Sequence, residues 1–172
     1  LYGITRLDFD IEGDDIREPE AIERRSQAIA MIQSNALANG SDVFVSFTLP
    51  VQPTGLTTEG IAVLASAIEY GVRIDVVNIM TMNFGQQFPV DQMGANTIQA
   101  AESLFAQLQE LYPDKTEAEL WMMIGLTPMI GINDRPTQFF QLTDAELVTD
   151  FALEKGIRSL SMWSLNRDQQ CD

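Results

Sequence analysis

The stretch RLDFDIEG, residues 6–13, decides how this chain is read. Acidic and apolar residues alternate through it: Asp8, Asp10 and Glu12 against Leu7, Phe9 and Ile11. A period of two marks a β-strand, whose successive side chains point to opposite faces. One face is then apolar and the other carries three carboxylates. Side chains two apart on a strand stand about 6–7 Å apart at the backbone. Carboxylates that crowded do not all ionise cheaply, and any proton they retain belongs to the group rather than to one member. Taken alone, such a face has two plain explanations. It is a solvated edge strand, or it is an oxygen-rich site for Ca²⁺ or Mg²⁺, although EF-hand spacing is missing.

Outward from this stretch the chain reads as strand and helix in turn. Strands are expected at 4–11, 43–49 (VFVSFTL), 74–82 (IDVVNIMTM), 124–131 (IGLTPMIG) and 157–163 (IRSLSMW). Helices are expected at 19–39, 57–70, 91–111 and 144–155, with a short one carrying Trp121. Pro19 suits a first helical turn. Thr116 and Glu119 have capping-box spacing for the short helix, and Thr143 and Glu146 have it for the last one. Pro128 belongs near the end of its strand, because it cannot donate to a ladder. The strands are apolar nearly throughout, the pattern of parallel βαβ units. Five strands do not close an eight-stranded barrel, so this α/β chain is either an open doubly wound sheet or part of a barrel.

The 172 residues suffice for one domain with a real core. A formal net charge of −15 repels nucleic acid and anionic membrane surfaces, so neither is an expected partner. No apolar run approaches the roughly 18 residues of a membrane helix. Histidine is absent, which removes Ser-His-Asp and Cys-His catalysis and every histidine-ligated metal site. Cys171 is the single cysteine, so it is free or paired outside this sequence. The chain opens with Leu1 almost directly into a strand, which reads as the cut edge of a longer protein whose leader is not visible.

Four segments together resemble the glycoside hydrolase family 18 chitinases. LDFDIEG is similar to the acidic signature of that family's fourth strand, Asp-x-x-Asp-x-Asp-x-Glu, with Thr5 standing at its first Asp. NIMTMNFG (78–85) resembles the strand-6 segment, with Met82 and Asn83 where a Tyr-Asp pair is common. GLTPMIGIND (125–134) resembles strand 7 and its loop, and LSMWSLNRD (160–168) resembles strand 8 with its floor tryptophan. The resemblance runs end to end and implies an incomplete (β/α)8 TIM barrel, strands 4 to 8, with strands 1 to 3 absent from residues 1–172.

The same resemblance implies a function and its residues. Strand C-terminal ends open onto the active site of such a barrel, so Glu12 is expected at the mouth, Asp10 below it and Asp8 deepest. Glu12 would be the general acid and base, giving a proton to the glycosidic oxygen and then activating water. The resemblance implies that the sugar's own N-acetyl oxygen is the nucleophile, held by Asp10, with Asp8 steadying Asp10 and exchanging a proton with it. The anomeric configuration would be retained. Trp163 would be the stacking platform under the sugar. Met80, Met82, Asn83 and Asp134 would line the substrate site. The expected substrate is chitin or a chitooligosaccharide, and no metal or organic cofactor is implied. Because chitin is extracellular, the protein is expected to be secreted. The rival reading is a weak or inactive chitin-binding protein that kept the cleft and lost turnover. The expected partner within the molecule is the missing N-terminal part of the barrel, without which open strand edges favour instability or association.

Overall fold

The computed structural model describes residues 3–168. In chain order it contains β1 (Arg6–Asp10), α1 (Pro19–Ala38), β2 (Phe44–Gln52), β3 (Gly55–Leu56), α2 (Thr58–Glu69) and β4 (Val76–Thr81). There follow α3 (Met93–Leu111), α4 (Glu117–Trp121), β5 (Ile124–Pro128), β6 (Gly131–Ile132), β7 (Phe139–Phe140), α5 (Leu142–Lys155), β8 (Ser159–Leu160) and a 3-10 turn (Leu165–Arg167). Cys171 lies outside the described residues.

Five strands pair in the order β1-β2-β4-β5-β8, every pair parallel. Each lies beside the next one along the chain. A doubly wound sheet reverses its strand order at a switch point, and this sheet has no reversal. The sequential order is that of consecutive βα units in a barrel, which settles the alternative the sequence left open. β3 pairs antiparallel with the end of β2, and β6 with β7.

The two faces of the sheet differ as the alternation requires. Val45, Phe47, Leu49, Val77, Ile79, Ile124 and Leu126 are buried among the helices, with Leu64 of α2 and Leu104 and Leu108 of α3. Phe9 sits on the same side, its ring 5.9 Å from that of Phe47. The opposite face carries Asp8, Ser46, Thr48, Asn78 and Thr127. Trp121 is a packing residue, as its position on the short helix suggests. It stacks on Phe105 at 4.3 Å and meets Phe151 edge-on.

Three boundaries differ from the sequence reading, each for a local reason. β2 runs on through Pro50 to Gln52. The Thr48 carbonyl accepts the Ile11 N–H, so Thr48 faces β1, and so does Pro50 two residues later. There β1 has already ended, and the missing proline N–H breaks no ladder bond. α5 starts at Leu142 rather than 144, and Thr143 with Glu146 does not form its cap. Asp144 does instead, accepting the Gln141 N–H at 2.8 Å while it also accepts the Gly94 N–H at the head of α3. The last strand pairs regularly only over Ser159–Leu160. A single bridge, Met129 to Trp163, continues it.

Candidate active site

β1 delivers its carboxylates to the polar face at three heights. Asp8 is deepest. Its Oδ1 accepts a short hydrogen bond from the Ser46 hydroxyl, and its Oδ2 accepts from Thr48 Oγ1 at 2.8 Å. Register explains this, since Asp8 lies opposite Ser46 and Asp10 opposite Thr48. Asp10 ends the strand. Burial, with the charge of Asp8 as a second cause, pushes its carboxyl above the ordinary value of 3.8. Glu12 stands two residues past the strand end rather than as its last residue, on the lip of the sheet. The Ile11 N–H still reaches the Thr48 carbonyl at 3.0 Å, so the lip stays tied to β2. Gly13 follows with φ +62°, turning the chain away toward α1.

A cleft of about 250 Å³ opens at these strand ends, with Asp10 and Glu12 on its β1 side. Met80 and Met82 from β4 and its loop line it in the middle, and Met129 and Trp163 at the β8 side. Trp163 is 56% exposed, so a large indole face is left open. Asp8 does not reach this cleft. It lines a deeper space with Ser46 and Asn78, and the two spaces share Thr48 and Thr127. Seven of the eight residues expected from sequence therefore meet in one cleft, Asp134 and Asn83 among them, with Asp8 beneath.

Asn83 and Asp134 hold each other. Asn83 has φ 51°, a left-handed conformation that Asn tolerates better than most residues. Its Nδ2 donates to Asp134 Oδ2 at 3.0 Å and its Oδ1 accepts the Arg135 N–H at 3.2 Å. The Asn83 backbone N–H donates to the buried Asn133 side chain at 3.1 Å. Asn133 donates in turn to the Met129 carbonyl at 2.9 Å. The loops after β4 and β6 are thus fastened together, and the Asn83 amide is engaged by protein at both ends. Among the described residues no three Asp, Glu, Cys or His side chains gather as a metal site would require. The oxygen-rich stretch 8–15 has no such cluster to offer a divalent cation.

The sequence reading passed over Ser46, Thr48, Asn78 and Thr127. Their signal was present: each interrupts an apolar strand on the face that register aligns with Asp8 and Asp10. It becomes visible only once the strands are set side by side.

Comparison with known proteins bears out the resemblance to chitinases. The chain is 39% identical over 169 residues, 94% of its length, to a protein named probable bifunctional chitinase/lysozyme from Escherichia coli (strain K12). It is 39% identical over the same length to endochitinase 11 from Metarhizium anisopliae. It spans 19% and 32% of those two proteins. Among solved structures, the catalytic domain of a hyperthermophilic chitinase from Pyrococcus furiosus matches 98% of the chain with a TM-score of 0.84 and 39% identity. Catalytic-site mutants of active domain 2 of a thermostable chitinase from the same organism, complexed with chito-oligosaccharides, match equally at 38% identity. The chain covers 52% of each of those two structures. No protein-family model matches.

Proposed function

We propose that this chain is the C-terminal part of a chitinase catalytic barrel, acting on β-1,4-linked N-acetylglucosamine. The observation that carries the reading is the meeting of Asp10, Glu12 and Trp163, from the two ends of the sequence, in one cleft at the C-terminal ends of parallel strands. The similar proteins are named as chitinases, and one solved relative is complexed with chito-oligosaccharides.

In this reading the sugar lies on Trp163, whose open indole face suits the apolar face of a pyranose. Glu12 donates a proton to the leaving sugar's oxygen. Asp10, whose carboxyl is held above its ordinary value by burial and by the Asp8 charge, turns to the acetamido N–H and sharpens the N-acetyl oxygen as the nucleophile. That oxygen attacks the anomeric carbon as the glycosidic bond breaks. Glu12, now a carboxylate, takes a proton from water, which opens the cyclic intermediate with overall retention. Met80 and Met82 form the apolar wall beside the acetamido methyl. Asp134, held by Asn83, is the carboxylate on the far side that accepts from a sugar hydroxyl. The first three βα units of the barrel lie in sequence outside this chain and complete the cleft, and the whole protein is secreted to reach its polymer.

The test is hydrolysis of a fluorogenic chitotriose by the full-length protein and its Glu12→Gln variant. The reading expects a loss of at least about 100-fold in kcat with oligosaccharide binding kept. Equal rates reject the assignment. Binding without turnover in the unaltered protein would support the alternative, a chitooligosaccharide-binding protein.

A further inference from the structure

Four side chains on four neighbouring strands are linked in one direction across the polar face. Thr127 Oγ1 on β5 donates to Asn78 Oδ1 on β4 at 3.0 Å. Asn78 Nδ2 donates to Thr48 Oγ1 on β2 at 3.0 Å, and Thr48 Oγ1 donates to Asp8 Oδ2 on β1 at 2.8 Å. A threonine hydroxyl has one hydrogen to give, so both hydroxyls in this chain are committed toward Asp8. The link from Asn78 to Thr127 is diagonal, because Asn78 lies opposite Gly125. It exists because Gly125 has no side chain: a Cβ there would stand 2.9 Å from Asn78 Oδ1. Thr48 and Thr127 also border both the sugar cleft and the space beneath it.

We propose that Thr127, Asn78 and Thr48 are positioning residues, a one-way hydrogen-bond relay that holds Asp8 as an acceptor and so places the shared proton of the β1 carboxylates on Asp10. This deepens the chitinase reading and rests on it. Both oxygens of Asp8 already receive hydroxyl hydrogens, from Ser46 and Thr48. A proton on either oxygen would make it a poorer acceptor and weaken the bond from Ser46 or Thr48, so the two donors favour the charged form of Asp8. Linked donors of this kind polarise one another, so the far end of the relay is felt at Asp8. At the cleft, Thr127 Oγ1 is left as an acceptor, a partner for a sugar hydroxyl. Its occupation would tighten the whole chain toward Asp8.

The experiment is a carboxyl-carbon NMR titration of Asp10 in the protein and in Asn78→Leu, Thr127→Val and Thr127→Ser. The other charged groups lining the two spaces are Asp8 and Arg6 on β1, Glu12 just past its end and Asp134 across the cleft, while β2 presents the Thr48 hydroxyl. None of these is altered. Asn78→Leu should move the Asp10 midpoint to lower pH, because Asp8 then takes a larger share of the proton. Thr127→Val should move it less, in the same direction, and Thr127→Ser should leave it in place. Should Asn78→Leu fail to fold, the valine and serine pair decides alone. An Asp10 titration indifferent to Asn78→Leu, or to Thr127→Val where that pair decides, overturns the relay. Loss of hydrolysis in Glu12→Gln beside an indifferent titration would overturn the relay and leave the chitinase reading standing. A shifted titration with hydrolysis unaffected by Glu12→Gln would do the reverse.

Discussion

Gly125→Ala is a one-carbon change at the middle of the sheet. An ideal Cβ at that position meets Ser159 Oγ at 2.7 Å, Asn78 Oδ1 at 2.9 Å and Val76 Cγ1 at 3.1 Å. These neighbours yield to different degrees. Ser159 rotates its hydroxyl at little cost. Asn78 is held by Thr127 and Thr48, and Val76 is β-branched and stiff at χ1. Overpacking a tight site costs about 1–3 kcal/mol. Replacing Gly by Ala returns about 0.4–1 kcal/mol by restricting the unfolded chain. With one soft contact of three, the expected net loss is about 1 kcal/mol. Urea unfolding of the wild type, Gly125→Ala, Ser159→Ala and the double variant reads it directly. The double variant should recover only part of the loss, since the Asn78 and Val76 contacts remain, giving a coupling of about 0.5 kcal/mol. A Gly125→Ala protein as stable as wild type, or more so, would show that the polar face is not packed as described and would remove the steric basis of the relay.

Asp10→Asn tests the crowding of the carboxylates. Asp10 is pushed above 3.8, so the folded chain binds that proton more tightly than the unfolded one, and its stabilising effect is present at low pH and lost as pH rises through the raised value. The variant should therefore melt higher than wild type at neutral pH, with the gap shrinking toward pH 3.8 and below; a gap that widens with acid contradicts the stated cause. Gly94→Ala places a Cβ 2.8 Å from Asp144 Oδ1 and 3.0 Å from its Cα. It should destabilise the α3–α5 contact by about 1–3 kcal/mol in urea unfolding, although helix propensity alone favours Ala by about 1 kcal/mol. Thr116→Ala removes the capping box in which Thr116 and Glu119 exchange bonds at 2.7–3.3 Å, and should cost about 1 kcal/mol by the same assay.

Much of this molecule was legible because its strands are buried and its punctuation is strong. The apolar runs around Phe47, Ile79 and Leu126 allowed little but parallel strands, and Pro19 and Thr116 marked helix starts that the structure reproduces. Alternation says which residues share a face but not which strand lies beside which, so the sequential strand order that the structure shows was implied by the resemblance to a barrel and not by the pattern itself. The start of α5 was misread for a related reason. Asp144 is fixed as the cap partly by the Gly94 N–H, fifty positions away, and no local pattern shows that bond. Resemblance supplied the candidate site residues around Glu12 and Trp163. It did not supply the engagement of the Asn83 amide with Asp134 and Arg135, which depends on how two loops meet.

The most direct measurement follows the first minutes of hydrolysis by proton NMR, with the full-length protein, on chitotetraose and on its fully deacetylated counterpart. The account predicts that the acetylated substrate yields the β-anomer first and that the deacetylated one is not turned over, since without an acetamido group Asp10 has nothing to hold and Glu12 no nucleophile to assist. An α-anomer as the first product, or comparable turnover of the deacetylated sugar, would contradict it.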